Sequence, residues 1–166
     1  MHRKFRTLPR GCYGLGLITL MAAMLAGEAA AQLLERKALS LAEAKKIATA
    51  AEAEALTNAW NVVIAIVDEG GNLIYLQRLD ETQIGSIDIA VGKARTAALF
   101  KRPTKALEDA VATGRTVLVA VANMTPLEGG VPLMHEGQVI GAIGVSGVTS
   151  QQDAQIAQAG ANALLK

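Results

Sequence analysis

Residues 62–79 read VVIAIVDEGGNLIYLQRL, and the fold turns on them. Val62–Val67 is an unbroken apolar run rich in β-branched side chains. It is too short for a typical helix, so it predicts a strand covered on both faces. Asp68-Glu69-Gly70-Gly71-Asn72 is a reversal signal whose glycines supply the positive φ of a tight turn. Leu73–Leu79 continues as the hairpin partner, with Tyr75 and Gln77 interrupting its apolar pattern. A hairpin makes antiparallel neighbours, and the rest of the chain is read outward from that pair.

Upstream, Ser40-Leu41-Ala42-Glu43 forms a capping box that starts a helix running to about Thr57, with Leu41, Ala44, Ala48, Ala51 and Ala55 on its apolar stripe. Downstream, Ile87, Ala90, Val91, Ala94 and Ala98 mark a helix over Ser86–Phe100 that Pro103 stops. A short helix over Lys105–Thr113 ends at Gly114, and Thr116–Ala122 has strand composition. Two further strands lie in 127–147, LEGGVPLMHEGQVIGAIGVSG, turning at Glu136-Gly137 between Leu133–His135 and Gln138–Val145. Thr149 or Ser150 caps a final helix from about Gln151. Its small residues Ala157, Gly160, Ala161 and Ala163 suit close approach to the sheet or to another subunit. The order α-β-β-α-α-β-β-β-α predicts an α+β domain: an antiparallel sheet of about five strands with helices packed on its faces.

A chain of 166 residues, 51% hydrophobic, suits one globular domain. Arg3, Lys4, Arg6 and Arg10 precede an apolar run from Leu15 to Ala26, and Glu28-Ala29-Ala30-Ala31 follows. That order matches a secretory signal cleaved after Ala31. A spanning helix needs ~20 apolar residues, so no stable membrane anchor is expected after cleavage. The expected organisation is a signal peptide over 1–31, a flexible segment over 32–38 and the domain over 39–166, in the periplasm or secreted. Removing four of the 16 basic residues and one of the 15 acidic ones leaves a slight acidic excess, which disfavours nucleic-acid binding. Cys12 leaves with the signal. The mature chain then has no disulfide or thiolate nucleophile, and with one histidine it is a poor candidate for structural zinc.

Gly144-Val145-Ser146-Gly147-Val148 fails the G-x-S-x-G nucleophile elbow at its last position. Gly141, Gly144 and Gly147 do not fit a phosphate-binding G-x-G-x-x-G either, and within a strand they suit close approach of backbone or a flat ligand. The acid pairs Asp68 with Glu69 and Asp80 with Glu81 read as solvated turn residues. His135 falls at a hairpin tip. It is either an exposed turn residue or a ligand whose site a neighbouring chain completes.

Three segments, VDEGGNLIYLQRLDE at 67–81, GKARTAALFKRPT at 92–104 and GGVPLMHEGQVIGAIGVSG at 129–147, together resemble the GlcG/HbpS family of haem-binding proteins. The same family includes the C-terminal domain of PduO-type corrinoid adenosyltransferases. The resemblance spans 39–166 and implies a profilin-like antiparallel sheet, homo-oligomeric assembly and, in several branches, binding or degradation of haem. Mature aromatics are only Trp60, Tyr75 and Phe100, so a haem slot here would be lined by aliphatic residues. Arg78, Lys93 and Arg95, with Lys101 and Arg102, are the cations available to propionates, unless they are ordinary surface charge. Axial ligation in the family involves histidine or a threonine hydroxyl. That makes His135, as a metal ligand, and Thr96 and Thr104 the candidates. Local alternatives are back-bonding for Thr96 and helix capping for Thr104. Met124 and Met134 read as packing residues. The expected function is an exported, oligomeric haem- or tetrapyrrole-binding protein for storage, sensing or protection, more a binder than an enzyme. The alternatives are a small-molecule enzyme or organic-acid-binding accessory protein of an oxidation pathway, with Arg78 or Arg95 holding a carboxylate, and a structural partner assembling through its final helix.

Overall fold

The computed structural model describes residues 36–164. The expected signal peptide and most of the segment ahead of the domain lie outside the described residues. Helix α1 spans Leu41–Thr57 and is capped by Ser40, whose Oγ accepts from the Glu43 amide at 3.2 Å. Strand β1 is Val63–Asp68 and β2 is Leu73–Arg78. Helices α2, Ser86–Phe100, and α3, Thr104–Ala112, follow. Strands β3, Gly130–His135, and β4, Gln138–Ser146, precede the last helix, α4, Ser150–Ala161. Thr149 caps α4 in a full capping box with Gln152.

The sheet has the order β2-β1-β4-β3, every pair antiparallel. The buried apolar run assigned to β1 is explained by its central place, since Val63–Val67 have no solvent exposure on either face. Alternate side chains face opposite layers. Ile64 and Ile66, with Ile143 and Val145 of β4, pack on Ala44, Ile47, Ala48 and Ala51 of α1 and Ile156 and Ala157 of α4. Val63, Ala65 and Val67, with Ala142, pack on Ala90, Ala94, Ala97 and Ala98 of α2. The domain is therefore a three-layer sandwich, with α1 and α4 on one side of the sheet and α2 on the other.

Two glycines set how close α2 lies. Gly130 and Gly144 are register partners on β3 and β4. A Cβ on Gly144 would overlap the Ala90 carbonyl and the Ala94 amide, and one on Gly130 would overlap the Lys93 carbonyl. The glycine-rich strand thus admits helix backbone, one of the two uses its composition allows. Gly160 plays the same part on the other side, where a Cβ would lie 2.7 Å from Ile143 Cδ1 and 3.1 Å from Ala51 Cβ.

Among the described residues the sheet has four strands where about five are expected. Thr116–Ala120 is a 3₁₀ turn, closed by i to i+3 bonds such as Leu118 N–H to the Arg115 carbonyl. β-propensity measures fit to a half-buried pleated surface, and this segment has none beneath it. Val117 and Val119 are 68% and 64% exposed.

Candidate functional site

The β3–β4 hairpin turns on Glu136 and Gly137, both at positive φ, 48° and 77°. Just before the turn stand Met134 and His135, on opposite sides of the ribbon, and the register shifts between Leu133 and Met134. On the α2 side, Met134, Val139 and Ala98 line an open recess of about 470 Å³. Its rim carries Arg36, Lys37 and Lys101, with Glu69 as the one carboxylate among the lining residues. On the α1 side, His135 opens onto a smaller recess of about 230 Å³ with Leu39, Ser40 and Ile140. His135 is partly buried, and its Nε2 lies 3.6 Å from Glu136 Oε2.

Local structure explains why the larger recess is basic. Lys101 is the C-cap of α2, held at φ 51° in the left-handed region, with its amide donating to the Ala97 carbonyl. Glu69 is set by the β1–β2 turn, where Asp68 Oδ1 accepts from the Asn72 amide at 2.8 Å. Burial pushes the Asp68 carboxyl up, but hydrogen bonds from the Asn72 amide and side chain and from Gly70 and Gly71 outweigh it, so its pKa lies below the ordinary value. Arg95 braces the same turn by donating to the Gly71 carbonyl at 3.2 Å.

The other residues singled out from sequence are not gathered at this recess. Lys93, 2% exposed, donates to Asp153 Oδ2 at 2.7 Å and to the Val145 carbonyl at 3.0 Å. The pair joins α2 to α4 beside Gly129, where a Cβ would lie 2.8 Å from Lys93 Nζ. Burial raises the Asp153 pKa, and the Lys93 ammonium offsets this only in part. Thr96 and Thr104 are fully buried. Thr96 Oγ1 accepts from the Thr125 amide at 2.8 Å, and Thr104 Oγ1 accepts from the Gly130 amide at 2.9 Å. Both hydroxyls therefore anchor the approach to β3, and Thr104 makes no capping bond to α3. Arg78 is exposed at the end of β2. Arg36 and Lys37 also line the recess, and because they precede the first helix outside any motif nothing in the sequence singles them out. Met134, expected as a packing residue, is 47% exposed. Its position next to buried Leu133 on a strand was the available signal.

Fold and recess together define a class: a single-sheet α+β domain with an open, largely polar recess whose rim carries three cations. The chain belongs to the HbpS-like family, whose model, described as haem degrading protein HbpS-like, matches residues 39–162. Protein GlcG of Escherichia coli K12 is 48% identical over 108 residues, covering 65% of this chain and 81% of that protein. The crystal structure of HbpS superposes with a TM-score of 0.76 at 32% identity, covering 81% of this chain and 96% of that one. The crystal structure of a PduOC–haem complex superposes with a TM-score of 0.72 at 30% identity, covering 78% and 96%.

Proposed function

We propose that this chain is an exported, oligomeric haem-binding protein that holds the tetrapyrrole for storage, sensing or protection. The carrying observation is the larger recess. At about 470 Å³ it is in the range of ligand clefts, ~300–1,000 Å³, and it pairs apolar Ala98, Val139 and Met134 with three cations. Arg36, Lys37 and Lys101 suit two propionates, outnumbering Glu69, while Ala98, Val139 and Met134 offer a porphyrin face one small apolar patch in a lining otherwise polar. Bound haem would bring a redox-active iron, while the chain's own residues bind its edge, orient it and shield one face from water. A family described by haem degradation and a structural neighbour solved with haem support the reading. The basic, apolar and small-residue order of 1–31 supports export. Exposed Val117 and Val119 offer apolar surface for a further subunit.

Titrating the purified protein with hemin tests the reading, with a saturable Soret shift as the expected result and its absence as the contrary one. The same three cations also suit a small organic acid, as expected of an accessory protein in an oxidation pathway. Native mass spectrometry of protein from its own host separates the two readings by the mass of the retained ligand, and it reports the subunit number in the same spectrum.

A further inference from the structure

Resting on the oligomeric part of that reading and not on its haem part, we propose that the side of α2 facing β2 is a two-fold interface between copies of this chain. The sheet is covered unequally. On one side α1 lies over β1 and β2, and α4 lies over β4 and β3. On the other side α2 lies over β1, β4 and β3, and no helix of the described residues covers β2. One helix, about 10–12 Å across, cannot cover four strands that span about 15–19 Å. An apolar margin is left beside α2, floored by Leu76 and Leu73, the register partners of Ala65 and Val67 on that face.

The wall of that margin is a row on α2. Ile87, Val91, Arg95 and Leu99 recur every four residues, and Ile84, whose carbonyl accepts from the Ile87 amide, extends the row ahead of the helix. Ile84 is 75% and Leu99 45% exposed, with half-buried Val91 between them. The row is complementary to itself. A two-fold axis between Val91 and Gly92 lays two α2 helices antiparallel, with Asp88 opposite Arg95 and Ile84 opposite Leu99, and each contact is made twice. Asp88 is exposed and makes no ion pair among the described residues. Arg95 spends Nε on the Gly71 carbonyl, and its two terminal nitrogens have no acceptor among the described residues. A second copy of α2 therefore supplies both the apolar cover and the opposite charge that each row lacks. The bare β2 margins of the two copies come together beneath the paired helices.

The test is subunit number and dissociation constant, by native mass spectrometry and analytical ultracentrifugation, for the wild type and for variants of this row. The wild type should have an even number of subunits, as a two-fold contact in every copy requires. Asp88→Arg sets like charges against each other twice and should raise the dissociation constant by about tenfold or more. Asp88→Arg with Arg95→Glu restores the opposite order and should recover assembly. Ile84→Ser with Leu99→Ser should also weaken assembly by about tenfold or more. Both residues are exposed, so circular dichroism should show that variant folded, and it decides the matter if losing the Arg95 brace unfolds the charge swap. Assembly that the row variants leave unchanged, or that only Val117→Ser with Val119→Ser breaks, overturns this surface while the oligomeric reading stands. An odd subunit number, or a folded charge swap that stays apart, does the same. A monomeric wild type overturns both.

Discussion

Lys101 holds a left-handed backbone conformation that glycine adopts without strain, and it spends that conformation on placing an ammonium at the rim of the larger recess. Lys101→Gly should therefore raise thermal stability, by up to about 1 kcal/mol, while weakening hemin binding. A loss of stability on that substitution would show that the side chain's contacts outweigh the strain. Asp68 acts through pH. Its carboxyl is held below its ordinary value, so its stabilising effect is present above the unfolded-state value and is lost as pH falls through the folded one. Asp68→Asn should make stability fall less steeply on acidification below about pH 4, as read by urea midpoints across pH. At this scale the sequence was an uneven guide. The Ser40 and Thr149 caps were legible because capping is local. The partners of Lys93, Thr96 and Thr104 lie at sequence separations of 60, 29 and 26 residues, so local pattern could not supply them.

Helices α2 and α4 lie on opposite faces of the sheet, and the Lys93–Asp153 pair ties them together in the interior. Removing one partner strands a buried charge, so Lys93→Met should cost about 3–5 kcal/mol, whereas Lys93→Met with Asp153→Leu should recover most of that loss. Chemical denaturation of the two variants measures the difference. Equal destabilisation by the single and double changes would show that packing of the lysine stem, and not charge compensation, is what matters. The elements themselves were legible wherever a periodic apolar face met a partner: α1, α2 and the β1–β2 hairpin stand where their patterns put them. Thr116–Ala120 fell outside that rule, because valine spacing reports a preference for a pleated surface and says nothing of whether the fold provides one.

Across the whole molecule, the haem reading depends on residues far apart in sequence, Arg36 and Lys37 ahead of α1, Lys101 at the end of α2 and Met134 on β3, meeting at one hairpin tip. The family was legible from three contiguous segments. The recess was not, because its cations come from unpatterned positions and only the sandwich brings them to Met134. Hemin titration of the full protein beside an Arg36→Gln, Lys101→Gln double variant tests that convergence most directly. The account predicts a saturable Soret shift in the wild type and an affinity lower by about tenfold or more in the double variant, as two propionate contacts are lost. No saturable shift, or equal affinity in the two proteins, would contradict it.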